Sequence, residues 1–265
     1  MKKIGFIGTG NMGGALILAA AKSDSSNELL LSDIITEKAE ALAKKTGGKV
    51  CDNITAAKEA DFLFLGVKPQ MLADTMEEIA PVLKERKDRF VLVSMLAAFT
   101  CERINKAAGG SYPVIRIMPN TPVSIGEGMI LYAANEKVTD EELEFFLKAF
   151  EKAGRFSPLA EKLIDAGASV AGCGPAFVDL FIEALADGGV ACGLPRAKAL
   201  EYAAQMTAGA AKLILESGKH PGRLKDEVCS PGGTTIQGVR ALEKGGLRSA
   251  VTEAVIAAYE KNFEL

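Results

Sequence analysis

The sequence feature that most limits the fold of this chain is a glycine-rich turn close to its start. An apolar run at 3–7 has the length of a buried strand, and 11–22 has the apolar spacing of a helix. Glycines between them let the backbone turn tightly and approach a pyrophosphate, whose charge the helix N-terminus favours. The pattern predicts dinucleotide binding; the alternative is a purely structural turn. The predicted cofactor-binding residues are Ile7, Gly8, Thr9, Gly10, Asn11, Met12 and Gly13.

An acidic residue follows at the spacing expected for a ribose contact. Asp33 stands 20 residues after Gly13, at the end of an apolar run over 29–32. A carboxylate there accepts hydrogen bonds from the ribose hydroxyls and repels a 2′-phosphate. With Lys38 as the nearest cation in the sequence, the pattern favours NADH over NADPH. The alternative is that Asp33 caps the next helix or is a solvated turn residue.

The first part of the chain alternates short apolar runs with amphipathic stretches. This alternation predicts an α/β Rossmann domain over 1–158, with a doubly wound, mostly parallel sheet covered by helices on both faces. Strands are predicted at 3–7, 29–32, 61–67, 90–94, 114–118 and 129–133, and helices at 11–22, 36–45, 71–83 and 100–107.

After residue 158 the strand signals disappear and alanine-rich helical stretches follow, separated by glycine and proline. We predict an all-α domain over 159–265. Its apolar residues extend beyond one narrow stripe, so a lone bundle would leave apolar surface uncovered. Such surface usually meets another subunit, which predicts an oligomer. The predicted helices are 161–171, 175–192, 196–217, 232–244 and 247–262.

Composition narrows the possible partners. The net charge of −3 provides no basic surface for nucleic acid, so a small molecule is the expected partner. The 5 cysteines have no metal-site or redox spacing and there is 1 histidine, so no metal site is expected. No uninterrupted apolar run reaches the ~20 residues of a membrane span, and we expect a cytoplasmic protein with reduced thiols. His220 is expected to be a plain loop residue between glycines.

Two further loops follow predicted strands at the edge where a doubly wound sheet binds its ligand. Val67, Lys68 and Pro69 end the strand predicted at 61–67 and should border the cofactor. The alternative is that Pro69 only begins the next helix. Asn120 follows the strand predicted at 114–118 between two prolines, and it should lie near the nicotinamide together with Thr121.

A second glycine-rich loop opens a helix far along the chain. Free N–H groups at a helix start, with glycines clearing the approach, make an anion site, and the substrate's carboxylate is the expected anion. The alternative is simple capping, for which Ser230 is the candidate. The predicted substrate-binding residues of this loop are Ser230, Gly232, Gly233, Thr234 and Thr235.

The candidate reaction is hydride transfer, and the chain has no evident general acid. Reduction of a ketone normally requires a donor of matched pKa, and Lys68 and Lys225 are possible donors without the neighbours of a designed acid. An imine nitrogen can be protonated before the hydride arrives, so one hydroxyl hydrogen bond can suffice. The pattern favours reduction of a C=N bond.

Motifs in a fixed order resemble the pyrroline-5-carboxylate reductase family over essentially the whole chain. The motif at 225–235 is the most specific of them. The motifs are Ile7-Gly8-Thr9-Gly10-Asn11-Met12-Gly13, Val67-Lys68-Pro69, Met118-Pro119-Asn120-Thr121-Pro122, Gly174-Pro175-Ala176-Phe177 and Lys225-Asp226-Glu227-Val228-Cys229-Ser230-Pro231-Gly232-Gly233-Thr234-Thr235.

The resemblance implies the last step of proline biosynthesis, in which NADPH or NADH reduces 1-pyrroline-5-carboxylate to L-proline. It implies a helical C-terminal dimerisation domain, with homodimers that can assemble into a pentamer of dimers. Thr235 is then the catalytic residue beside the ring nitrogen, and the loop at 230–235 holds the carboxylate across the dimer interface. Glu161 corresponds to a substrate-site position and Asn53 to an adenosine-ribose contact.

The sequence departs from the family pattern in the segment Ser94-Met95-Leu96-Ala97-Ala98-Phe99-Thr100. Leu96 and Ala98 replace smaller residues there, which predicts a narrower loop beside the nicotinamide. Asp33 replaces a residue that commonly favours NADPH. Two alternatives remain: a reductase of another cyclic imine acid, and a non-catalytic protein that senses nucleotides on the same scaffold.

Overall fold

The structure, a computed structural model, describes residues 1–262. Its contacts divide the chain into two compact units. The first contains Met1–Gly172 together with 259–262, and the second is Cys173–Ala258. The predicted boundary at residue 158 separates a dinucleotide-binding part from a part that binds substrate and forms the dimer. It concerns function rather than contacts, and it stays a prediction.

The first unit is built on an eight-stranded sheet in the order β3-β2-β1-β4-β5-β6-β7-β8. All neighbouring strands are parallel except β6 and β7, which pair antiparallel. The strand order reverses between β1 and β4, and this is the switch point at which doubly wound sheets bind ligands. The strands are β1 Lys3–Ile7, β2 Glu28–Ser32, β3 Lys49–Val50, β4 Phe62–Leu65, β5 Val91–Ser94, β6 Val114–Met118, β7 Gly128–Ala134 and β8 Gly154–Pro158.

Helices cover both faces of this sheet, which explains why its central strands are apolar throughout. Phe6 and Phe64 face α1 and α6, whereas Leu63 and Leu92 face α3, α4 and α5. This confirms the predicted fold class. The helices are α1 Asn11–Ser23, α2 Thr36–Thr46, α3 Asn53–Glu59, α4 Leu72–Glu85, α5 Cys101–Ala107, α6 Asp140–Ala149, α7 Ile164–Ala171, α8 Gly174–Ala191, α9 Arg196–Ser217, α10 Pro221–Val228, α11 Thr234–Lys244 and α12 Leu247–Lys261.

Several elements were not predicted from the sequence. Strand β3 has only two residues, and β8 lies at the sheet edge with the sequence GRFSP, which shows no clear alternation. Helix α6 carries a capping box, in which Thr139 accepts from the amide of Glu142 and the Glu142 side chain accepts from the amide of Thr139. Helices α3 and α10, of 7 and 8 residues, were not predicted either.

The second unit is entirely helical in its described residues. Helix α8 buries a single residue, Ala186, and α11 and α12 bury none. Large apolar side chains are exposed instead, including Leu180 at 66% and Leu215 at 70%. By length and composition alone, the helical stretch Glu161–Ala191, with a mean hydropathy of 1.4, is apolar enough to cross a membrane. The predicted excess of apolar helix surface is therefore present.

An ion pair with a buried arginine joins strand β6 to helix α7. Arg116, on β6, is 1% exposed, and its Nη2 donates to Oδ1 of Asp165 at 2.5 Å. Its Nε has no hydrogen-bond partner among the described residues. A buried guanidinium depends on its counter-charge, because leaving one charge alone in the interior is costly.

We expect Asp165→Ala to lower the free energy of unfolding by about 3 kcal/mol, because it removes the counter-charge of Arg116. The measurement is urea unfolding at fixed protein concentration. The matched control is Glu151→Ala, which removes the exposed partner of Lys152 and should cost less than about 0.5 kcal/mol. Equal losses in the two variants would contradict the prediction.

Candidate active site

The glycine turn connects β1 to α1 as predicted, and its glycines are needed for different reasons. Gly8 has φ +100°, and a Cβ on it would lie 2.5 Å from the carbonyl oxygen of Gly66. A Cβ on Gly13 would lie 2.4 Å from the carbonyl oxygen of Gly8. Around Gly10 the opposite holds, since no described atom lies within 4 Å of a built Cβ. Packing therefore requires two of the glycines, and the third faces open space.

The start of helix α1 leaves its backbone donors available. Gly10 is the N-cap residue, with φ −64° and ψ −167°, and no described side chain caps the helix. Asn11 and Met12 form its first turn. Uncapped amides at a helix N-terminus attract anions, and the open space at Gly10 lets an anion approach them. This cradle fits a pyrophosphate.

Asp33 is tied to the glycine turn. Its Oδ2 accepts from the amide and the hydroxyl of Thr9, at 2.7 and 2.9 Å, and its Oδ1 accepts from the amide of Ile35 at 2.9 Å. Burial works to raise the pKa of Asp33, but the hydrogen bonds from Ile35 and Thr9 outweigh it and hold that pKa below its ordinary value. Asp33 is therefore ionised at neutral pH, and Ile35, not Asp33, is the N-cap residue of α2.

A cleft of about 860 Å³ opens at the carboxyl ends of β1, β2 and β4. The predicted cofactor residues that line it are Ile7, Gly8, Gly10, Asp33, Asn53, Val67 and Lys68. Thr9 is buried behind Asp33, and Pro69 begins the 3₁₀ turn that follows Lys68. Carboxylates outnumber ammonium groups along this lining. The charged lining residues are Asp33, Asp52, Asp74 and Glu78 against Lys38 and Lys68.

Asn53 belongs to a hydrogen-bonded chain at the rim of the cleft. Its Oδ1 accepts from the Ser32 hydroxyl at 2.7 Å, and its Nδ2 donates to Oε2 of Glu78 at 2.6 Å. Neither Ser32 nor Glu78 was predicted as a site residue. Glu78 stands on the exposed side of an amphipathic helix, and its proximity to Asn53 depends on how α3 and α4 pack.

Asn120 lies at the end of β6, but its amide is already engaged. Nδ2 donates to the carbonyl of Ala171 at 3.0 Å, and Oδ1 accepts from the amide of Met129 at 2.9 Å. The residue is 8% exposed. Its side chain therefore holds the loop after β6 to β7 and to the end of α7, and its role in cofactor binding stays a prediction.

The loop after β5 carries the departures from the family pattern. Leu96 is buried in the apolar layer under α4 and α5, so its larger side chain packs into the core. Ala98 has φ +61°. The loop ends at α5, where Oε1 of Glu161 accepts from the amide of Cys101 at 2.6 Å. Burial, assisted by Glu161, raises the pKa of the Cys101 thiol to about 12, so this cysteine stays protonated.

The second glycine loop joins α10 to α11. Gly232 has φ +69°, and a Cβ on Gly233 would lie 2.3 Å from Oγ of Ser230. Gly233 is the N-cap residue of α11, and no described side chain caps the helix, so the alternative in which Ser230 only caps it does not hold. Thr234 and Thr235 are exposed at the first turn of the helix, beside uncapped amides.

Two residues near this loop also differ from expectation. His220 is the N-cap residue of α10, and its Nδ1 accepts from the amide of Gly222 at 3.1 Å, so it is more than a plain loop residue. The ammonium of Lys225 pairs with Asp226 at 2.8 Å, and the hydrogen bond from Lys225 to Asp226 raises the pKa of Lys225. A raised pKa makes Lys225 a weaker acid, which argues against it as the proton donor.

Known proteins match the chain in both halves and over its whole length. Residues 161–265 match the family model described as pyrroline-5-carboxylate reductase dimerisation, and 3–98 match that described as NADP oxidoreductase, coenzyme F420-dependent. The pyrroline-5-carboxylate reductase of Escherichia coli K12 is 41% identical over 100% of this chain and 98% of its own length. The chain belongs to the pyrroline-5-carboxylate reductase family.

Other members of the family agree in sequence and in structure. The pyrroline-5-carboxylate reductase of Synechocystis is 42% identical over 99% of this chain and 98% of its own length. The crystal structure of the Plasmodium falciparum pyrroline carboxylate reductase with NADP bound superposes with a TM-score of 0.87. It is 30% identical and covers 98% of this chain and 97% of its own.

Family membership confirms the predicted fold class and the predicted enzyme class, an NAD(P)H-dependent oxidoreductase of the pyrroline-5-carboxylate reductase family. It supports a nicotinamide cofactor and a homodimer formed through the C-terminal helices. The roles of the individual site residues remain predictions. Within residues 1–262, no group of three or more His, Cys, Asp or Glu side chains is placed to hold a metal ion.

Proposed function

We propose that this chain reduces the C=N bond of 1-pyrroline-5-carboxylate to give L-proline, the last step of proline biosynthesis. The observation that carries the proposal is the full-length identity of 41% with a reductase of that name. The presence of two separate glycine-rich helix starts supports it, because a dinucleotide and a substrate carboxylate each require an anion site.

In this proposal residues 1–158 bind the dinucleotide, and residues 159–265 bind the substrate and form the dimer. The uncapped start of α1 holds the pyrophosphate, and Asp33 and Asn53 hold the adenosine ribose. The loops at Val67-Lys68-Pro69 and at Asn120 border the nicotinamide half. The uncapped start of α11 holds the substrate carboxylate through Ser230, Gly232, Gly233, Thr234 and Thr235, and Glu161 borders the ring.

The chemistry required of the protein is modest. The reduced nicotinamide supplies the hydride, which adds to the carbon of the C=N bond, and the protonated nitrogen becomes the secondary amine of proline. The Thr235 hydroxyl, at the N-terminal turn of α11, positions the nitrogen through one hydrogen bond. Because the iminium is already electrophilic, no strong acid is needed, which agrees with the paired state of Lys225.

The assay that tests the proposal uses purified protein with NADH or NADPH and follows nucleotide oxidation after 1-pyrroline-5-carboxylate is added. No oxidation with either nucleotide would contradict it. The ratio of kcat/KM for 1-pyrroline-5-carboxylate to kcat/KM for the six-membered cyclic imine acid shows whether the protein is instead a reductase of the larger ring. Tight nucleotide binding without turnover of either imine would instead favour the nucleotide-sensing alternative.

We further propose that NADH is the preferred cofactor. Asp33 is ionised and lines the cleft just beyond the carboxyl end of β2, and carboxylates outnumber ammonium groups along that lining. A 2′-phosphate brought close to such a group is repelled, by about 4 kcal/mol for unit charges at 4 Å and an effective dielectric constant of 20. The ordering of the Asp33 carboxylate by Thr9 and Ile35 keeps this charge in place.

We expect Asp33→Ser to lower the ratio of kcat/KM for NADH to that for NADPH by at least tenfold (about 1.4 kcal/mol). The serine removes the charge and leaves room for a phosphate. Asp33→Asn is the matched control for shape, since it removes the charge while keeping an oxygen that can accept from Thr9. Steady-state kinetics with both nucleotides provide the measurement, and an unchanged ratio in both variants would rule out Asp33 as the discriminating group.

We propose that the exposed apolar helices of the second unit are covered by a second copy of the chain. Residues 161–265 match a dimerisation model, and Leu180 and Leu215 are among the side chains to be covered. A cytoplasmic homodimer, or a pentamer of such dimers, accounts for this surface without a membrane or nucleic acid. Light scattering of the purified protein distinguishes a dimer from a decamer, and a requirement for detergent would contradict the proposal.

A further inference from the structure

The loop between β5 and α5 contains a strained residue. Ala98, at φ +61°, is the one non-glycine residue among residues 1–262 with a positive φ. The left-handed conformation is unfavourable for a residue with a Cβ, whereas glycine adopts it freely. Such a conformation persists only where neighbouring groups hold it.

One side chain on the first turn of α5 holds this residue. Nη1 of Arg103 donates to the carbonyl oxygen of Ala98 at 2.5 Å. The guanidinium of Arg103 also lies over the ring of Phe99, with Cζ 4.1 Å from the ring centroid. A single planar group thus fixes the carbonyl of the strained residue and the ring of the next one.

The two ends of the loop are anchored independently of Arg103. At the β5 end, Leu96 is buried in the core and its amide donates to the Ser94 hydroxyl at 3.3 Å. At the α5 end, Glu161 accepts from the amide of Cys101 at 2.6 Å. Loss of Arg103 would therefore release the middle of the loop and leave its attachment to the sheet intact.

The loop lies on the side of the cleft where the second half of a dinucleotide would extend. Ser94 pairs with Leu65 at the end of β4, and the amide of Met95 donates to the Leu65 carbonyl at 3.4 Å. The residues directly after Leu65, Gly66 and Val67, line the cleft. In a doubly wound sheet the dinucleotide crosses the switch point, from the β1–β2 side to the β4–β5 side.

We propose that Arg103 is a positioning residue for the cofactor: it holds Ala98 in the left-handed conformation and so fixes the loop that borders the nicotinamide half. The inference rests on the proposed function, since it requires a dinucleotide in this cleft. Arg103 acts through the backbone of Ala98 and Phe99 and not through contact with a phosphate. The chain therefore uses an arginine to stabilise a conformation that a glycine would adopt unaided.

The test is a double-mutant cycle on Arg103 and Ala98. Arg103→Ala should raise the Kd for NADH and the KM for NADH at least fivefold, with kcat within twofold of wild type. Adding Ala98→Gly to Arg103→Ala should recover at least threefold of that loss, because glycine adopts a positive φ without help. The single Ala98→Gly variant completes the cycle, and Kd is read from the quenching or enhancement of NADH fluorescence.

The matched control is Ala97→Gly in the Arg103→Ala background, which loosens the same loop at a residue without a positive φ and should recover nothing. Equal recovery by Ala97→Gly and Ala98→Gly, or recovery by neither, would overturn the inference. The direct Kd measurement separates this failure from failure of the proposed function. A wild-type protein that binds no dinucleotide would overturn both the Arg103 inference and the proposed function. If the wild-type protein binds NADH without reducing the imine, only the proposed function fails, and the Kd values of the four proteins in the cycle can still be compared.

Discussion

Thr235→Ala is expected to lower kcat for imine reduction about a hundredfold, the loss typical when one preorganised hydrogen bond to the reacting atoms is removed. Thr235 stands at the first turn of α11, where its exposed hydroxyl is beside the amides proposed to hold the substrate carboxylate. The KM for the nucleotide should change little, since the residues that line the cleft proposed to hold the dinucleotide belong to the first compact unit. Steady-state kinetics with both substrates varied independently provide the measurement.

Two further variants at Thr235 separate the hydroxyl from the shape of the side chain. Thr235→Ser keeps the hydroxyl and should retain kcat to within about tenfold, whereas Thr235→Val keeps the shape and should be as slow as Thr235→Ala. Equal rates for the serine and valine variants would remove the hydroxyl from the mechanism. A loss confined to the KM for the imine would make Thr235 a substrate-binding residue without a role in the chemical step.

The fold was predictable to the extent that its strands are buried on both faces. Apolar runs such as 3–7 and 61–67 required helices on both sides of the sheet, and the turn at Gly8 placed the first of them. Strand β8 could not be predicted, because an edge strand needs no continuous apolar run and Gly154–Pro158 is mixed in character. The antiparallel direction of β7 likewise depends on the short connection through 121–125, which carries no periodic signal.

The candidate site was predictable in its residues more than in its interactions. The spacing after Gly13 predicts Asp33 as a site residue, but its hydrogen bonds to Thr9 follow from the parallel pairing of β1 with β2. The amide of Asn120 is occupied by Met129 and Ala171, and those partners come from β7 and α7, elements distant in sequence. Long-range packing of this kind leaves no local pattern.

Backbone strain is the property of the site that could least be predicted from the sequence. The substitution at Ala98 was visible as a departure from the family pattern, but the positive φ and the role of Arg103 in holding it were not. At Leu96 the sequence indicated a larger side chain that would narrow the loop. The structure instead buries that side chain in the core. Which way a side chain faces after the end of a strand depends on the local turn, which the sequence does not define.

Gly10→Ala is expected to separate cofactor binding from folding. The backbone of Gly10, at φ −64°, is allowed for alanine, and no described atom lies within 4 Å of the added Cβ. The free energy of unfolding should therefore stay within about 1 kcal/mol of wild type, with any gain arising from a less flexible unfolded chain. The KM and Kd for NADH should rise at least tenfold, because the methyl group occupies the space through which a pyrophosphate approaches the α1 amides.

Gly8→Ala is the contrasting variant in the same turn. Its φ of +100° and the 2.5 Å approach to the Gly66 carbonyl oxygen mean that an added Cβ must displace backbone, so both stability and nucleotide binding should be lost. Urea unfolding and NADH titration on the two variants provide the comparison. A Gly10→Ala protein that binds NADH as tightly as wild type would show that no pyrophosphate approaches the start of α1, and the cofactor would then have to bind elsewhere along the cleft.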